Sequence, residues 1–228
     1  MLETIKHKGK EMHVVITGAA GGIGREFCRL YKERGDQVTA LCRQSNEELN
    51  NLGVRVIEQV DVTNLDCLRD LAFELKEIDV LINNAAIFKS DPMANIAYDK
   101  VMEHMDVNAL GPLRTTVNLL SCMNEGAKVA MISSRMGSIT DNSSGGHYAY
   151  RMSKAALNMA AVSLNQDLSS LGICVGVFHP GFVKTKMTSG QGDIEASEAA
   201  LRLIDRIDEL NRENAGRFIH SNGEELPW

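Results

Sequence analysis

The sequence predicts an α/β fold, with one domain built on a doubly wound, seven-stranded parallel sheet that carries helices on both faces. Short apolar runs rich in β-branched residues alternate along the chain with longer segments whose apolar residues recur at helical spacing. This alternation is typical of helices packed on both faces of a parallel sheet. No linker, low-complexity run or internal repeat divides the 228 residues, so a single domain is the simplest interpretation.

Seven strands are predicted from apolar runs that are bounded by glycine or by polar residues. The first run, HVVIT, leads directly into a glycine cluster, and the fifth, AKVAMIS, ends in serines. The predicted strands are 13–17, 37–42, 54–59, 79–84, 127–133, 173–178 and 217–219.

About six helices are predicted between these strands. The segment IGREFCRLYKERG after the first strand ends at Gly35, and a long helix from about Tyr148 ends at Gly172, because glycine readily takes the left-handed conformation that terminates helices. Residues 98–120 are predicted as one long helix that tolerates Gly-Pro near its middle or is kinked by it. Further helices are predicted at 65–77 and 197–214.

The charge pattern argues against several classes of partner. The formal net charge is −6, and no long cluster of Lys and Arg is present, so neither nucleic acid nor an anionic membrane surface is an expected partner. No run of about 18 apolar residues predicts a membrane span. The first twelve residues are charged and lack the apolar core of a signal peptide, so we expect a cytoplasmic protein.

The cysteine pattern does not predict a disulfide framework or a zinc site. The count is odd and no CxxC pair occurs, which favours a reducing compartment and no bound metal. The five cysteines are Cys28, Cys42, Cys67, Cys122 and Cys174.

The glycine cluster TGAAGGIG, residues 17–24, lies between the first predicted strand and the first predicted helix. In this context Gly18 permits a tight turn, Gly22 lets the backbone approach a pyrophosphate, and Gly24 lets the helix pack close to the sheet. The helix N-terminus then offers amide donors and a positive dipole end to the phosphates. The alternative is a glycine-rich turn without a ligand. The residues expected to bind the dinucleotide here are Gly18, Ala20, Gly21, Gly22, Ile23 and Gly24.

The end of the second strand bears on the choice of nicotinamide cofactor. An acidic residue at this point of a Rossmann fold binds the ribose 2′-hydroxyl of NAD, whereas a nearby Arg suits the 2′-phosphate of NADP. Here Cys42 stands at the place of the acid and Arg43 follows it. A guanidinium can bind a phosphate through two hydrogen bonds. NADP(H) is therefore favoured over NAD(H), although Arg43 is alternatively a solvated surface residue and the loop positions Ala20 and Gly21 carry no basic side chain.

The stretch GGHYAYRMSK contains two candidate acid–base tyrosines. Tyr150 and Lys154 are four residues apart, so they share one face of the predicted helix, whereas Tyr148 has Met152 at that spacing. A free phenol has a pKa of about 10, and a nearby ammonium lowers that value. The spacing favours Tyr150 as a general acid/base whose pKa Lys154 lowers. The alternative is a chance pair on a helix.

Two further polar residues, Ser134 and Asn108, are candidates for the functional site. Ser134 ends the fifth predicted strand, and the carboxyl ends of strands are where α/β proteins bind ligands. Asn108 lies among apolar residues of a predicted helix, and a buried Asn needs hydrogen-bond partners.

Taken together, these motifs resemble the classical short-chain dehydrogenase/reductase family. The glycine cluster is followed in the family's order by NNAA (83–86), VN (107–108), ISS (132–134), YRMSK (150–154) and HPGFVKT (179–185), so the resemblance covers residues 13 to about 188. The long segment SSRMGSITDNSSGGHYAYRMSKAALNM and the terminal GEELPW are more particularly similar to the C-factor and Sniffer-like carbonyl reductase branch.

The resemblance implies a Rossmann-type domain with a Tyr-Lys-Ser-Asn catalytic group that transfers a hydride between NADP(H) and a carbonyl or alcohol substrate. It assigns the substrate oxygen to Ser134, but the separation from Tyr150 is longer than in most of the family, so Ser138 is a competitor. It gives Asn108 the task of distorting its helix so that a backbone carbonyl holds a water linked to Lys154. An Asn that pins two helices together is the alternative.

The resemblance also implies contacts with the adenosine half of the cofactor. Asp61 would accept a hydrogen bond from the adenine amino group, with the Val62 backbone beside the ring. As an alternative, Asp61 caps a turn or the helix that starts near Asn64. The segment Asn84, Ala85 and Ala86 would lie along the adenosine ribose, with Ala86 where the family usually has glycine.

On the nicotinamide side, the resemblance implies contacts from Tyr150 and Lys154 to the ribose and from Pro180 and Gly181 to the ring. It further implies that Val183 or Thr185 binds the carboxamide. Residues 185–195 are polar and rich in glycine, which is typical of a mobile lid or of an ordinary surface connection.

The substrate itself is not predicted beyond a small carbonyl or alcohol. The pocket would be formed by segments 88–97, 135–148 and 185–195, and His147 and Tyr148 would line it or pack at the helix start, while His179 is expected to be structural. The resemblance implies a homodimer or homotetramer, and residues 1–11 would be an N-terminal extension. The alternative function is that of a cofactor-binding sensor or a C-factor-like signalling protein with little turnover.

Overall fold

The predicted seven-stranded parallel sheet is confirmed. A computed structural model describes residues 10–90 and 93–228, so most of the predicted extension 1–11 lies outside the described residues. The sheet has the strand order β3-β2-β1-β4-β5-β6-β9, and every neighbouring pair is parallel. Its strands are β1 His13–Thr17, β2 Gln37–Leu41, β3 Arg55–Ile57, β4 Ile78–Asn83, β5 Met123–Ile132, β6 Cys174–His179 and β9 Phe218–His220.

A second, two-stranded parallel sheet is formed by β7 Val183–Lys184 and β8 Ile194–Glu195. The two strands were not predicted, because a run of two residues has no readable periodicity. They bring together the two ends of the segment that was predicted as a lid, and an ion pair of 2.7 Å between Lys184 and Glu195 joins the same two strands.

The helices surround the sheet as predicted. They are α1 Gly22–Arg34, α2 Glu47–Asn50, α3 Leu65–Glu74, α4 Tyr98–Met105, α5 Gly111–Leu119, α6 Tyr148–Leu168 and α7 Ala196–Glu209. Short 3₁₀ turns lie at Met93–Asn95, Leu120–Cys122, Arg135–Gly137 and Ser169–Leu171. Gly35 and Gly172 have φ angles of 97° and 76°, so the two predicted glycine terminators act as expected. None of the described helices is both long and apolar enough to span a bilayer.

The segment 98–120, predicted as one helix, is divided into three parts. Helix α4 ends at Met105, a wider π turn covers Asp106–Leu110, and α5 begins at Gly111 with Pro112 in its first turn. Proline is accepted there because the first amides of a helix have no intrahelical partner. The π turn includes Asn108, four residues before Pro112, and this is the position whose carbonyl a proline cannot bond, so the predicted effect of the Gly-Pro pair falls within the break.

The core has two layers, one on each face of the sheet. Successive side chains of a strand point to opposite faces, so Val15 packs into one layer while Val14 and Ile16 pack into the other. The first layer includes buried residues of α3 and α6, and the second includes buried residues of α1 and α7. Because both faces are covered, the central strands are apolar along their length.

A buried guanidinium joins the end of α1 to α7. Arg34, whose side chain is 5% exposed, forms ion pairs of 2.6 Å with Asp36 and with Asp208. Its guanidinium carbon also lies 4.6 Å from the centre of the Tyr31 ring. Burial raises the pKa of Asp208, and the Arg34 charge opposes that rise. Asp208 therefore draws charge compensation from Arg34 and also from Lys128.

We predict that Arg34→Ala destabilises the protein by about 3 kcal/mol, because it removes a buried guanidinium that forms ion pairs with two carboxylates. The value is at the low end of the range for broken buried pairs, since Asp208 is partly exposed. Arg69→Ala is the matched control, because Arg69 and Asp66 form an exposed pair that should contribute less than about 1 kcal/mol. Urea unfolding monitored by circular dichroism measures both free energies, and equal losses would contradict the prediction.

Candidate active site

The predicted site residues meet at one edge of the sheet. Strand β1 pairs with β2 on one side and with β4 on the other, so the chain reverses its direction of winding between them. A crevice forms outside the carboxyl ends of the strands at such a switch point, and this is where α/β proteins bind ligands. The segments that follow β1, β2, β3, β4, β5 and β6 carry, in that order, Gly18, Arg43, Asp61, Asn84, Ser134 and Pro180.

The glycine loop has the geometry of a phosphate cradle. Gly18 and Gly22 have φ angles of 67° and 54°, and a Cβ on Gly18 would lie 2.7 Å from the Cα of Ala85. A Cβ on Gly24 would lie 2.4 Å from the Gly18 carbonyl oxygen, so only glycine lets α1 approach the loop this closely. At Gly21, which precedes α1, a Cβ would meet no atom within 4 Å, and no side chain caps the helix. The first amides of α1 therefore have no side-chain cap, and Ala20 and Ile23 flank them.

Asn84 holds this loop in place. Its Nδ2 donates to the carbonyl oxygens of Thr17 and Gly18 at 3.1 and 3.2 Å, while the amides of Asn84 and Ala85 donate to Thr17 Oγ1. The Asn84 side chain and the amides of Asn84 and Ala85 are thus committed to the loop, so the predicted ribose contact would fall to the backbone carbonyls of this segment. Ala86 does not have a positive φ, so the structure requires no glycine there.

The end of β2 lacks a carboxylate, as the sequence indicated. Cys42 is buried, and burial raises the pKa of its thiol. Arg43 is exposed beside it. Hydrogen bonds from Thr63 lower the pKa of Asp61, and the nearby Arg43 charge adds to this effect. Arg43 and Asp61 therefore lie close together at this end of the crevice.

Asp61 caps a turn, which was the structural alternative for this residue. Its Oδ1 accepts hydrogen bonds from the amide and the hydroxyl of Thr63 at 2.9 and 2.7 Å. Asn64 caps α3 instead, because its Oδ1 accepts from the amides of Asp66 and Cys67. Val62 is buried against α5, where a Cβ on Gly111 would lie 2.7 Å from it. Both turn-capping bonds use Oδ1, so the adenine contact stays a prediction for the other carboxylate oxygen.

Tyr150 is buried in the wall of the crevice and forms a hydrogen bond with Ser134. Its ring makes edge contacts with Phe88 and His104, whose ring centres lie 5.0 and 6.4 Å away. Burial raises the pKa of Tyr150 to about 12, and the hydrogen bond with Ser134 offsets only part of this rise. The chain by itself therefore keeps the phenol protonated, whereas the sequence predicted a lowered pKa.

Lys154 is fully enclosed one helical turn after Tyr150. Its Nζ donates to the carbonyl oxygen of Ile132 at 2.9 Å and lies 5.7 Å from the centre of the Tyr150 ring. Burial lowers the pKa of Lys154 to about 7. Burial thus disfavours the charged form of the amino group, which limits how strongly it stabilises a phenolate in the chain alone.

The two competing serines have different partners. Ser134 follows β5 and caps the 3₁₀ turn Arg135–Gly137, since its Oγ accepts a hydrogen bond from the Met136 amide at 3.2 Å, and its hydroxyl lowers the pKa of Tyr150. Ser138 donates to the main-chain oxygen of Trp228 at 3.1 Å and accepts from the Asp141 amide. The residues that lengthen the Ser–Tyr separation form a 3₁₀ turn and a loop before α6. This placement favours Ser134 over Ser138 as the residue that faces a substrate.

Asn108 lies in the π turn and has all of its polar atoms bonded. Its Oδ1 accepts from the Ile87 amide at 2.8 Å, and its Nδ2 donates to the Ile87 carbonyl and to Ser153 Oγ at 3.0 Å each. Ser153 in turn donates to the Tyr150 carbonyl. Asn108 therefore sits in a locally distorted helix, as the resemblance implies. It also pins that helix to α6, which was the structural alternative.

The segment after β6 lies beside the glycine loop. Gly181 has a φ of 96°, and Ser221 Oγ donates to the Pro180 carbonyl at 2.9 Å. Val183 is buried in β7. A Cβ on Gly22 would lie 3.3 Å from the Thr185 methyl group, so the predicted lid begins against the phosphate cradle.

Two residues of the site, His104 and Ser153, were not identified from the sequence as its members, whereas Phe88 lies in the predicted pocket segment 88–97. Phe88 packs against Tyr150 and also against His147, 5.3 Å away. His104 is buried, with Nε2 accepting from the Lys89 amide and Nδ1 donating to the Lys100 carbonyl. Ser153 links Asn108 to Tyr150. Neither His104 nor Ser153 has a sequence pattern around it that singled it out.

The sequence is similar to known proteins over most of its length. A family model described as short chain dehydrogenase matches residues 12–196. The chain is 39% identical to a 1-hydroxy-2-glutathionyl-2-methyl-3-butene dehydrogenase of Rhodococcus sp. (strain AD45), and the alignment covers 94% of this chain and 99% of that protein. It is 42% identical to the C-signal of Myxococcus xanthus over 66% of this chain and 93% of that protein.

Solved structures give a consistent result. The carbonyl reductase Sniffer of D. melanogaster superimposes with a TM-score of 0.90 at 26% identity, covering 96% of this chain and all of that one. An NADPH-bound carbonyl reductase from chicken fatty liver superimposes with a TM-score of 0.87, also at 26% identity and with the same coverage.

The enclosure of Lys154 predicts a pH dependence of stability. Between pH 7 and pH 10 the unfolded chain binds a proton at Lys154 that the folded chain does not, because burial lowers the pKa to about 7. The free energy of unfolding should therefore rise with pH in this window by at most about 1.4 kcal/mol per pH unit relative to Lys154→Met. Denaturant unfolding at pH 7, 8, 9 and 10 measures the difference.

The exposed Lys32 supplies the control for this measurement. The difference in unfolding free energy between the unmodified protein and Lys32→Met should stay constant over the same pH range. If the Lys154→Met difference is equally flat, the amino group of Lys154 is not buried as the structure has it.

Proposed function

This chain belongs to the short chain dehydrogenase family, and on that premise we propose that it is an NADP(H)-dependent oxidoreductase that interconverts a carbonyl group and the corresponding alcohol. The observation that carries the proposal is the placement of Ser134 directly after β5 against Tyr150 and Lys154 of α6. The Ser134 hydroxyl is near enough to Tyr150 to lower the pKa of the phenol, and the Lys154 amino group lies 5.7 Å from the centre of the Tyr150 ring. These three side chains come from two elements and converge in the crevice beside the phosphate cradle.

Tyr150 is the proposed general acid in the reducing direction. The nicotinamide, when bound, supplies the hydride that forms the new C–H bond. Tyr150 then donates its phenolic proton to the substrate oxygen, which completes the alcohol, and Ser134 Oγ holds that oxygen by a hydrogen bond. The raised pKa of Tyr150 suits this task, because the phenol carries its proton at neutral pH.

Lys154 and Asn108 support this proton transfer. In its charged form Lys154 stabilises the phenolate that remains after the transfer, and we propose that its Nζ exchanges the Ile132 carbonyl for the hydroxyls of the nicotinamide ribose. Asn108 fixes the π turn against α6 through Ser153. That turn changes the hydrogen bonding of nearby backbone carbonyls, which supports a relay of protons from Lys154 to solvent.

The residues around the crevice fit a phosphorylated dinucleotide. The uncapped amides at the start of α1 suit the pyrophosphate, and Arg43 suits the 2′-phosphate at the end of β2, where Cys42 stands in place of an acidic residue. We propose that Asp61 and the backbone of Ala85 contact the adenosine, and that Gly181 and Thr185 contact the nicotinamide. One structural neighbour was solved with NADPH bound, which supports the same preference.

Exposed apolar residues favour an oligomer. Tyr98 and Met102 on α4 and Val117 on α5 are more than half exposed. Apolar side chains in such positions are typical of interfaces between subunits. We propose a homodimer or homotetramer with a small-molecule substrate and a cytoplasmic location.

A role as a sensor or signalling protein is the second candidate function. It is favoured by the similarity to the C-signal of Myxococcus xanthus. The convergence of Ser134, Tyr150 and Lys154 argues for turnover, because a protein that only binds a cofactor does not need a proton donor beside the crevice. Turnover of NADPH with a panel of aldehydes, ketones and quinones distinguishes the two. Binding of NADPH without consumption of any member would favour the sensor.

Tyr150→Phe should lower kcat with the best carbonyl substrate at least a hundredfold, because it removes the proton donor while keeping the ring. NADPH binding, measured by fluorescence titration, should change less than threefold. Tyr148→Phe is the matched control, since it removes the hydroxyl of the neighbouring tyrosine, and its kcat should stay within threefold of the unmodified protein. Normal turnover by Tyr150→Phe would exclude the proposed mechanism.

Arg43→Ala should raise the Kd for NADPH tenfold or more, because a charge-assisted hydrogen bond contributes about 1.5–3 kcal/mol. The Kd for NADH should change less than threefold, since NADH has no 2′-phosphate. Arg55→Ala, at the opposite end of the strands, should leave both values unchanged. The cofactor preference is refuted if Arg43→Ala weakens both cofactors equally or neither.

A further inference from the structure

The C-terminal segment 221–228, called the tail below, is anchored along strand β9. The amide of Leu226 donates to the Phe218 carbonyl at 2.7 Å, and an antiparallel bridge joins Ile219 to Glu225. The Leu226 side chain is buried in the core layer that contains Leu157 and Val177. The tail is therefore part of the packed structure at the edge of the sheet.

The end of the tail holds the segment that follows the proposed catalytic serine. The main-chain oxygen of Trp228 accepts hydrogen bonds from the Thr140 amide at 2.9 Å and from Ser138 Oγ at 3.1 Å. The Trp228 indole stacks on the Phe218 ring, with centres 5.5 Å apart and planes 19° apart. The stacked ring thus fixes the oxygen to which Ser138 and Thr140 bind.

A charged contact joins the tail to the same segment. Arg135 immediately follows Ser134 and forms an ion pair of 2.9 Å with Asp141. The Arg135 guanidinium also lies 3.8 Å from the Glu224 carboxylate in the tail. The turn after Ser134 is therefore contacted by the tail at Arg135 and again at Ser138 and Thr140.

The orientation of Ser134 depends on this turn. The Gly137 amide donates to the Ser134 carbonyl at 2.8 Å, and the Met136 amide donates to Ser134 Oγ at 3.2 Å. On the side away from the tail, Arg151 of α6 donates to the Met136 carbonyl at 3.3 Å. The turn is held between α6 and the tail, so loss of either contact would let Ser134 move relative to Tyr150.

The tail also contacts the opposite wall of the crevice. Ser221 Oγ donates to the Pro180 carbonyl at 2.9 Å, and the Ser221 amide donates to the His179 carbonyl at 2.8 Å. One continuous segment thus joins the serine side of the crevice to the side proposed for the nicotinamide ring.

We propose that Trp228 is a positioning residue that sets the place of Ser134 through the turn 135–140. Trp228 does not act on the substrate, and its effect passes through Ser138, Thr140 and the turn to Ser134. The kinetic part of this proposal rests on the proposed function, since it requires turnover, whereas the structural part does not. A displacement of a catalytic group by about 1 Å is enough to slow a reaction substantially.

The test compares Trp228→Ala with Trp228→Phe, which keeps an aromatic ring to stack on Phe218. Trp228→Ala should lower kcat about tenfold while the KM for NADPH stays within twofold, because the turn loosens and the cofactor cradle does not. Trp228→Phe should restore kcat to within threefold of the unmodified protein. Phe73→Ala, which removes an exposed ring on α3, should have no effect on either constant.

Hydrogen exchange followed by mass spectrometry supplies a readout that is independent of turnover. In Trp228→Ala, amides of residues 135–140 should exchange at least tenfold faster, while those of β1 should be unchanged. If Trp228→Ala does not fold, exchange of residues 135–140 is measured instead in the double variant Glu224→Gln with Ser138→Ala. This variant removes two contacts between the tail and the turn and leaves the stacked ring in place.

Unchanged exchange in residues 135–140 would overturn the proposal, and so would a loss of kcat that Trp228→Phe does not reverse. A protein that consumes no NADPH with any carbonyl counts against the proposed function. In that case the exchange measurement alone still decides whether the tail positions Ser134.

Discussion

The close contact between Gly137 and helix α6 is the constraint on which the site depends. A Cβ at Gly137 would lie 2.8 Å from the carbonyl carbon and 2.9 Å from the Cβ of Lys154, so only glycine allows the turn and the helix to approach this far. Because of this approach, Ser134 reaches Tyr150, and Lys154 Nζ reaches the Ile132 carbonyl beneath the turn. Asn158 strengthens the same junction, since it accepts from Ser133 Oγ and donates to the Gly137 carbonyl.

The central strands β1, β4 and β6 could be predicted because each forms an apolar run that is buried along most of its length. The irregular elements could not. The π turn at Asp106–Leu110 depends on the bonds from Asn108 to Ile87 and Ser153, which are distant in sequence. Strands β7 and β8 depend on pairing across the lid segment and have no local pattern of their own. These elements depend on contacts between distant segments, and local sequence patterns do not specify such contacts.

The same distinction applies to the site. Spacing on a helix was enough to pair Tyr150 with Lys154, and position at strand ends was enough to place Ser134 and Arg43 in one crevice. Their protonation was not predictable, because the pKa of Tyr150 follows from how deeply the fold buries it and not from a neighbour four residues away. The choice between Ser134 and Ser138 likewise depended on Trp228, a partner ninety residues further along the chain.

The bonds from Asn84 to the glycine loop have a consequence for folding. Thr17 and Asn84 are separated by 67 residues, so these bonds form only once β1 and β4 have paired across the middle of the sheet. Closing a contact of this sequence separation is a late and entropically costly step in assembling a chain. The glycine loop is therefore not held in its phosphate-binding conformation until β1 and β4 have paired. A ligand that binds the cradle selects the completed centre of the sheet and shifts the folding equilibrium toward it by mass action.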